Sequence, residues 1–183
     1  MANPEHEEVL DYLDKLSVCL YRIGISLFAL SLLVFAVMLS GMVTKPLDYQ
    51  QFILLLMGVS GALSASNIHV YNKLIRTIIS WSAWIGLVLM ISDVEQTRSW
   101  LSVGFIFVTF SGIALKESFC FKVVGLKLVP ALLALTTFSL YFEVLFLASM
   151  LMTISSFIIG YLSFAKWRMP LHFDIGNKAS YEI

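Results

Sequence analysis

Residues 128–165 decide the fold, and they read LVPALLALTTFSLYFEVLFLASMLMTISSFIIGYLSFA. Among these 38 residues the one charged side chain is Glu143. A single helix of that length would be about 57 Å long, whereas the hydrocarbon core of a bilayer is roughly 30 Å thick. It would also hold Glu143 near the membrane centre, where an isolated carboxylate costs several kcal/mol. The stretch therefore predicts two membrane-spanning helices joined by a tight turn at Glu143.

Apolar runs fill most of the remaining chain. Hydrophobic residues make up 59% of the 183 residues and charged residues only 13%, which is too little charge to cover a soluble domain. The sequence predicts an all-α fold, a polytopic membrane helix bundle that forms one integral membrane domain over residues 1–183. Its six transmembrane helices are expected at about 23–43, 52–71, 74–92, 100–121, 123–142 and 144–165, followed by a tail at 166–183.

The Lys and Arg residues orient this bundle, because positive charge near span ends is retained on the cytoplasmic side. With the N-terminus in the cytoplasm, ten of the twelve lie inside, and only Lys45 and Arg98 lie outside. Fusing 128–165 into one span would change that ratio to seven against five. The charge distribution therefore favours six spans with both termini cytoplasmic.

The N-terminal segment differs from an export signal, because its first fourteen residues carry five acidic side chains. Asn3 followed by Pro4 is typical of a helix start. We expect a short amphipathic helix at residues 4–20, lying on the cytoplasmic surface or leading directly into the first span. Its apolar face consists of Val9, Leu13, Leu16 and Leu20.

Small and polar residues recur at helical spacing in two predicted spans. The second span carries Ser60, Ser64, Asn67 and Tyr71, and the sixth carries Ser149, Thr153, Ser156, Gly160 and Ser163. Small residues let helix backbones approach closely, so the pattern favours helix-packing seams. The seam of the second span consists of Ser60 and Ser64, and that of the sixth span consists of all five of its residues. The alternatives are a polar cavity or solute path and a contact between copies of the chain.

The predicted cytoplasmic ends of spans two, four and five bring polar groups to membrane depth, because their apolar runs hold only 15, 16 and 15 residues. Such groups normally pair with one another or face water. The candidate polar vestibule consists of Asn67, His69, Lys116, Glu117 and Cys120. Glu117 is expected to reach a basic group such as Arg76 or Lys127. The alternative is that these cations extend to the membrane surface and form structural salt bridges.

Two motifs resemble a known family. Leu115-Lys116-Glu117-Ser118-Phe119-Cys120-Phe121 follows a Ser-Gly-Ile-Ala helix, and the tail contains Lys166-Trp167-Arg168-Met169-Pro170-Leu171 and Asp174-Ile175-Gly176-Asn177-Lys178. Together with the span pattern, they resemble the bacterial integral membrane proteins of domain of unknown function 2301. The resemblance implies a bacterial cytoplasmic (inner) membrane setting and draws attention to Asp174 and Gly176. It implies no activity, cofactor or mapped site.

Catalytic and cofactor motifs are absent from the sequence. It has no phosphate-binding glycine loop, nucleophile elbow or paired metal-binding cysteines. His172 and Asp174 are too few to predict a metal site. No catalytic, cofactor-binding or metal residues are therefore assigned. A net charge of zero gives no reason to expect nucleic acid as a partner.

Three functions stay open for a protein whose partner is the lipid bilayer. Transport of a small solute or ion would use the polar stripe of span two and the Lys116/Glu117 pair. Assembly with a protein partner would use the cytoplasmic face, residues 1–20 and 166–183. A membrane enzyme lacks a supporting motif. A water-accessible path along Ser60, Ser64 and Asn67 would favour transport, whereas a dry, tightly packed bundle would favour assembly. Oligomeric state is not encoded in any recognised pattern.

Overall fold

The computed structural model describes residues 9–42, 47–93 and 95–175. Within them it has seven α-helices and one 3-10 turn, at Leu126–Leu128. The helices are α1 Tyr12–Leu39, α2 Leu47–Ser66, α3 Lys73–Ser92, α4 Ser99–Ser118, α5 Val129–Tyr141, α6 Leu145–Trp167 and α7 His172–Ile175. The expected helix start at Asn3 and Pro4, Lys45, and the tail beyond residue 175 lie outside the described residues.

Helix α1 begins at a capping box rather than at residue 4. The Asp11 carboxylate accepts from the Asp14 backbone N–H, and the Asp14 carboxylate accepts from that of Asp11. These reciprocal bonds satisfy two backbone donors and start the helix. Residues 9–11 are therefore outside the helix, which then continues unbroken to Leu39. The part of the expected N-terminal helix from Tyr12 to Leu20 is continuous with the first long helix.

The six longer helices form a closed ring. Each contacts the next along the chain, and α6 returns to contact α1. Helix α1 packs most extensively, against α2 on one side and α6 on the other. Its Phe28 ring stacks on Phe110 of α4 with centroids 3.6 Å apart and meets Phe107 edge-on at 6.1 Å. These aromatic contacts form the centre of the apolar core.

The outer surface of the ring is apolar. On α3 the exposed residues include Trp81 and Trp84, whose side chains are 64% and 45% exposed. Four helices, α1, α3, α4 and α6, are long and apolar enough to cross a membrane, and the apolar segment Leu126–Tyr141 is shorter. The described part of the chain is thus helical, and its helices include four candidate membrane spans and form an apolar exterior that suits lipid.

The predicted break at Glu143 is confirmed. Helix α5 ends at Tyr141 and α6 begins at Leu145, so 128–165 is two helices that pack on each other. Glu143 has a positive φ of 57°, an unusual conformation for a residue other than glycine that suits a tight reversal. The predicted span 52–71 is too long at its end, since α2 ends at Ser66. There the Asn67 side-chain amide donates to the Leu63 carbonyl.

Candidate functional site

A buried carboxylate lies at the end of the bundle where α1 begins and α4 and α6 end. Glu117, in the last turn of α4, is 2% exposed. Its Oε1 accepts from the Tyr21 hydroxyl at 2.7 Å and lies 3.2 Å from Lys116 Nζ. Its Oε2 lies 2.9 Å from Lys166 Nζ of α6. Glu117 therefore ties α4 to both α1 and α6.

A second carboxylate, Asp174 of the short helix α7, completes the network. Asp174 Oδ2 accepts from Arg22 Nε at 2.7 Å, and Asp174 Oδ1 contacts Lys166 Nζ. Arg22 also donates to the backbone carbonyls of Met169 and Pro170, at 2.9 and 3.0 Å. The segment after α6 is thereby held against the start of α1.

Lys166 is the centre of this charge network, because it bridges both carboxylates while itself only 2% exposed. Its Nζ also lies 5.1 Å from the ring centroids of Tyr21 and Phe121, where the ring faces attract a cation. A buried charge is tolerated when it is paired and hydrogen-bonded, and each of these ions has at least two partners. The arrangement is a network of buried salt bridges, which are one part of the structural alternative expected for these cations.

Next to the network is a cavity of about 370 Å³, named here the Glu117 cavity. Its walls combine four cationic side chains, two carboxylates and several large apolar groups. The lining residues are Arg22, Lys116, Glu117, Ser118, Phe119, Cys120, Phe121, Lys122, Lys166, Met169, Phe173 and Asp174. A volume of this size is within the range of small-molecule sites.

The structure brings together three of the five predicted vestibule residues. Lys116, Glu117 and Cys120 line the cavity, whereas Asn67 and His69 do not. Those two lie in the connection between α2 and α3, where His69 Nδ1 is 2.9 Å from the Asn67 carbonyl oxygen. The pKa of His69 is lowered, first because burial disfavours the charged ring and second because Lys116 is nearby. His69 therefore lies close to Lys116 but outside the cavity.

Glu117 reaches a basic group on another helix, as expected, but that group is Lys166 of α6. The two cations named as examples, Arg76 and Lys127, do not pair with it. Tyr21, Arg22, Lys166 and Asp174 were not predicted as site residues. Arg22 directly precedes the apolar run 23–43, and Lys166 directly follows the run 144–165. These positions indicate that the two cations lie at the same depth at one end of the bundle. Asp174 accepts from Arg22 and contacts Lys166, and the described part of the chain has no group of three or more metal-ligating side chains.

The serines of α6 form a seam with α1. Ser149 donates to the Ala36 carbonyl at 2.7 Å and Ser156 to that of Ala29 at 2.8 Å. Ser163 shares a 2.6 Å hydrogen bond with Ser26. Because these serines are seven residues apart, they repeat along one face of α6. Of the other two predicted seam residues, Thr153 bonds within its own helix, and a Cβ on Gly160 would lie 3.9 Å from Ala29 Cβ.

The serines of α2 pack against α1 and line no open path in the described residues. Ser60 and Ser64 are fully buried, and a Cβ added at Gly24 would lie 2.3 Å from Ser64 Oγ. The two helices are therefore in close backbone contact. Among the described residues, the Ser64 hydroxyl is a buried polar group without a hydrogen-bond partner, whereas Ser60 donates to the Met57 carbonyl.

Comparisons with known proteins agree with a membrane setting. The sequence profile of a family described as "Uncharacterized integral membrane protein (DUF2301)" matches residues 63–183, roughly two thirds of the chain. A relative from Haemophilus influenzae, described as "Uncharacterized protein", is 33% identical over 183 residues, which cover 100% of both chains. No solved structure matches the chain.

Proposed function

The chain belongs to the DUF2301 family of integral membrane proteins, and on that premise we propose that it binds a small solute in the Glu117 cavity and transports it across the bacterial cytoplasmic membrane. The cavity carries this proposal, because it places ionisable groups beside about 370 Å³ of space at one end of the bundle. Ionisable groups at membrane depth are costly, and substrate or ion pathways are one of the roles for which they are retained.

The proposed topology has six spans with both termini in the cytoplasm, so the Glu117 cavity lies on the cytoplasmic side of the membrane. Four helices meet the length and hydropathy needed to span, and α2 and α5 complete the count in this proposal. Helix α2 has 20 residues, and the 3-10 turn with α5 covers Leu126–Tyr141. The split of ten cytoplasmic cations against two external ones supports the orientation.

Reporter fusions test the topology. A periplasm-active reporter is expected to be inactive after Ile183 and active when inserted at Asp93, since these sites lie on opposite sides in the proposal. Strong external activity after Ile183 would exclude an even number of spans. An inactive reporter at Asp93 would contradict the placement of the loop between α3 and α4 outside.

The proposed route runs from the cavity along the α1–α2 seam. Arg22 lines the cavity, whereas Gly24, two residues further along α1, lies about 200° around the helix on the face that packs against α2, so the proposed route has to pass around α1. Gly24 contacts Ser64, whose buried hydroxyl lacks a partner. An unsatisfied hydroxyl costs roughly 1–3 kcal/mol, a cost that is removed when the seam opens and water enters. The seam is closed in this conformation, so the proposal requires α1 and α2 to separate during transport.

Solute binding is tested with purified protein and a broad panel of metabolites and ions. At least one compound is expected to raise the melting temperature, because a ligand that binds only the folded state stabilises it by mass action. Cys120→Trp should abolish that shift by filling the cavity it lines. Val124→Trp is the matched control, since Val124 is 94% exposed in the same connection and lies outside the cavity. A panel without any stabilising compound would reject the proposal.

A second candidate, assembly with a protein partner, is favoured by the start of α1. The apolar side chains there are exposed, with Val9 91%, Tyr12 79%, Leu13 70% and Leu16 44% accessible. The closed α1–α2 seam also matches the dry bundle that assembly would predict. Mild purification from native membranes distinguishes this function. A stoichiometric protein partner that is lost on Leu13→Glu, together with an inactive solute panel, would favour assembly over transport.

A further inference from the structure

The cations around the Glu117 cavity are not all neutralised by the carboxylates that share it. Four cationic side chains face two carboxylates, so the described lining carries two excess positive charges. Arg22 and Lys166 are held by Asp174 and Glu117, with Arg22 using two further donors on backbone carbonyls. These two cations are structural, and they are buried in the wall.

The excess charge is on Lys116 and Lys122. Lys116 is 22% exposed, and Glu117, the carboxylate that it approaches at 3.2 Å, is shared with Lys166 and Tyr21. Lys122 is exposed at the rim and forms no ion pair with the described residues. An ammonium group carries three donors, so both side chains retain donors that can turn toward the cavity.

The rest of the wall is apolar and rich in aromatic rings. Phe119 is 75% exposed and Phe173 is 37% exposed, and both line the cavity beside the charged network. Phe121 and Met169 extend this apolar surface. A ligand site of this kind fixes orientation through a few polar groups and gains contact area from apolar ones.

We propose that the Glu117 cavity takes an amphipathic oxyanion, with its charged group bound by Lys116 and Lys122 and its apolar body packed on Phe119, Phe121 and Phe173. This inference rests on the proposed solute binding and names its chemical class. A phosphate ester meets the description whether it is a soluble metabolite or a lipid headgroup. Both sources share the chemistry that the cavity would recognise, which is an anionic group for the two ammonium groups and an apolar body for the aromatic rings.

Cys120 supplies a local test, because it is an exposed free thiol that lines the cavity. In a Cys19→Ser background, the rate of Cys120 alkylation by a maleimide is measured in neutral detergent. The probes are phenyl phosphate, dihexanoyl phosphatidylglycerol, inorganic phosphate, dihexanoyl phosphatidylcholine and tetraphenylphosphonium. Phenyl phosphate or the anionic lipid should slow alkylation in a saturable way, and inorganic phosphate should do so only at much higher concentration. Protection by one of the first two alone identifies a soluble or a lipid source.

Lys122→Gln should weaken that protection by about tenfold, the effect of one hydrogen bond to a charged group. Lys127→Gln is the matched control, since Lys127 is exposed in the same connection but does not line the cavity. Equal effects of the two variants would overturn the proposal, as would an absence of protection by both anionic amphiphiles. Inorganic phosphate acting as well as they do would overturn the amphipathic part. Stronger protection by tetraphenylphosphonium or phosphatidylcholine would overturn the proposal that the ligand is an anion, while the proposal that the cavity binds a solute would stand.

Discussion

The contact between α1 and α6 buries polar groups in two different ways. Along its middle, Ser149 and Ser156 donate to backbone carbonyls of α1, and no charge is involved. At its end, Arg22 and Lys166 bind Asp174, and Lys166 also binds Glu117. A serine that is removed leaves a carbonyl with its own helical bond, whereas an ion that loses its partner stays charged in an apolar setting. The two regions should therefore respond very differently to substitution.

The largest effect is expected from Glu117→Gln. The amide cannot neutralise Lys116 or Lys166, and Lys166 is 2% exposed. Breaking a buried ion pair on one side costs roughly 3–5 kcal/mol. The free energy of unfolding in neutral detergent should fall by that amount. Glu143→Gln makes the same chemical change at an exposed turn and should have little effect, so similar losses in the two variants would contradict a stabilising network.

A similar loss, at the lower end of that range, is expected from Asp174→Asn. Lys166 keeps Glu117, but Arg22, which is 2% exposed, loses its carboxylate and keeps two backbone carbonyls, so the loss should be about 3 kcal/mol. Limited proteolysis beyond Trp167 should accelerate as α7 is released.

The two carboxylate variants should also be non-additive. Groups in one salt-bridge network couple by roughly 0.5–3 kcal/mol, and here Lys166 is the shared partner. A double-mutant cycle of Glu117→Gln and Asp174→Asn measures this coupling. Strict additivity would mean that Lys166 does not link the two carboxylates energetically.

Close packing without charge should give the next effect, on the other side of α1. A Cβ at Gly24 would lie 2.3 Å from Ser64 Oγ and 2.9 Å from the Ser60 carbonyl oxygen, so Gly24→Ala must displace α2. Overpacking of this kind typically costs 1–3 kcal/mol. Gly160→Ala is the control, because its Cβ would lie 3.9 Å from Ala29 Cβ, an ordinary contact. Equal stability of the two variants would show that the α1–α2 contact is less tightly packed than the close approach at Gly24 implies.

The sequence predicted the turn at Glu143 because a charge inside 38 otherwise uncharged residues is a local signal. The end of α2 at Ser66 was harder to predict, since it depends on Asn67 bonding the Leu63 carbonyl instead of continuing the helix. Asn67 fits the polar stripe of Ser60, Ser64 and Tyr71, and at spacings of four, three and four residues nothing in the pattern separates a stripe from a helix end.

The site was half predictable for a similar reason. The desolvation cost of a carboxylate at the end of an apolar run indicated Glu117, and that argument needs only the sequence. Its partner Lys166 is 49 residues away on α6, and this pairing follows from a ring in which α6 closes on α1. Hydropathy and charge counts contain no information on which helices are neighbours, so Arg76 and Lys127 were equally reasonable partners.

The smallest effect is expected within the serine seam. Ser156→Ala removes the 2.8 Å bond to the Ala29 carbonyl, which still has the bonding of its own helix. Interhelical hydrogen bonds in membrane proteins contribute about 0.6 kcal/mol on average, because the separated helices also find partners. The free energy of unfolding should therefore fall by about 0.6 kcal/mol, several times less than for Glu117→Gln.

Ser155→Ala provides the matched control, because Ser155 is equally buried but donates to Leu151 of its own helix. That bond does not join two helices, so the difference between the two variants isolates the contribution across the seam. A loss at Ser156 as large as that of Glu117→Gln would remove the contrast between the two halves of the α1–α6 contact, because neutral serines would then hold the helices together as strongly as the buried ions do.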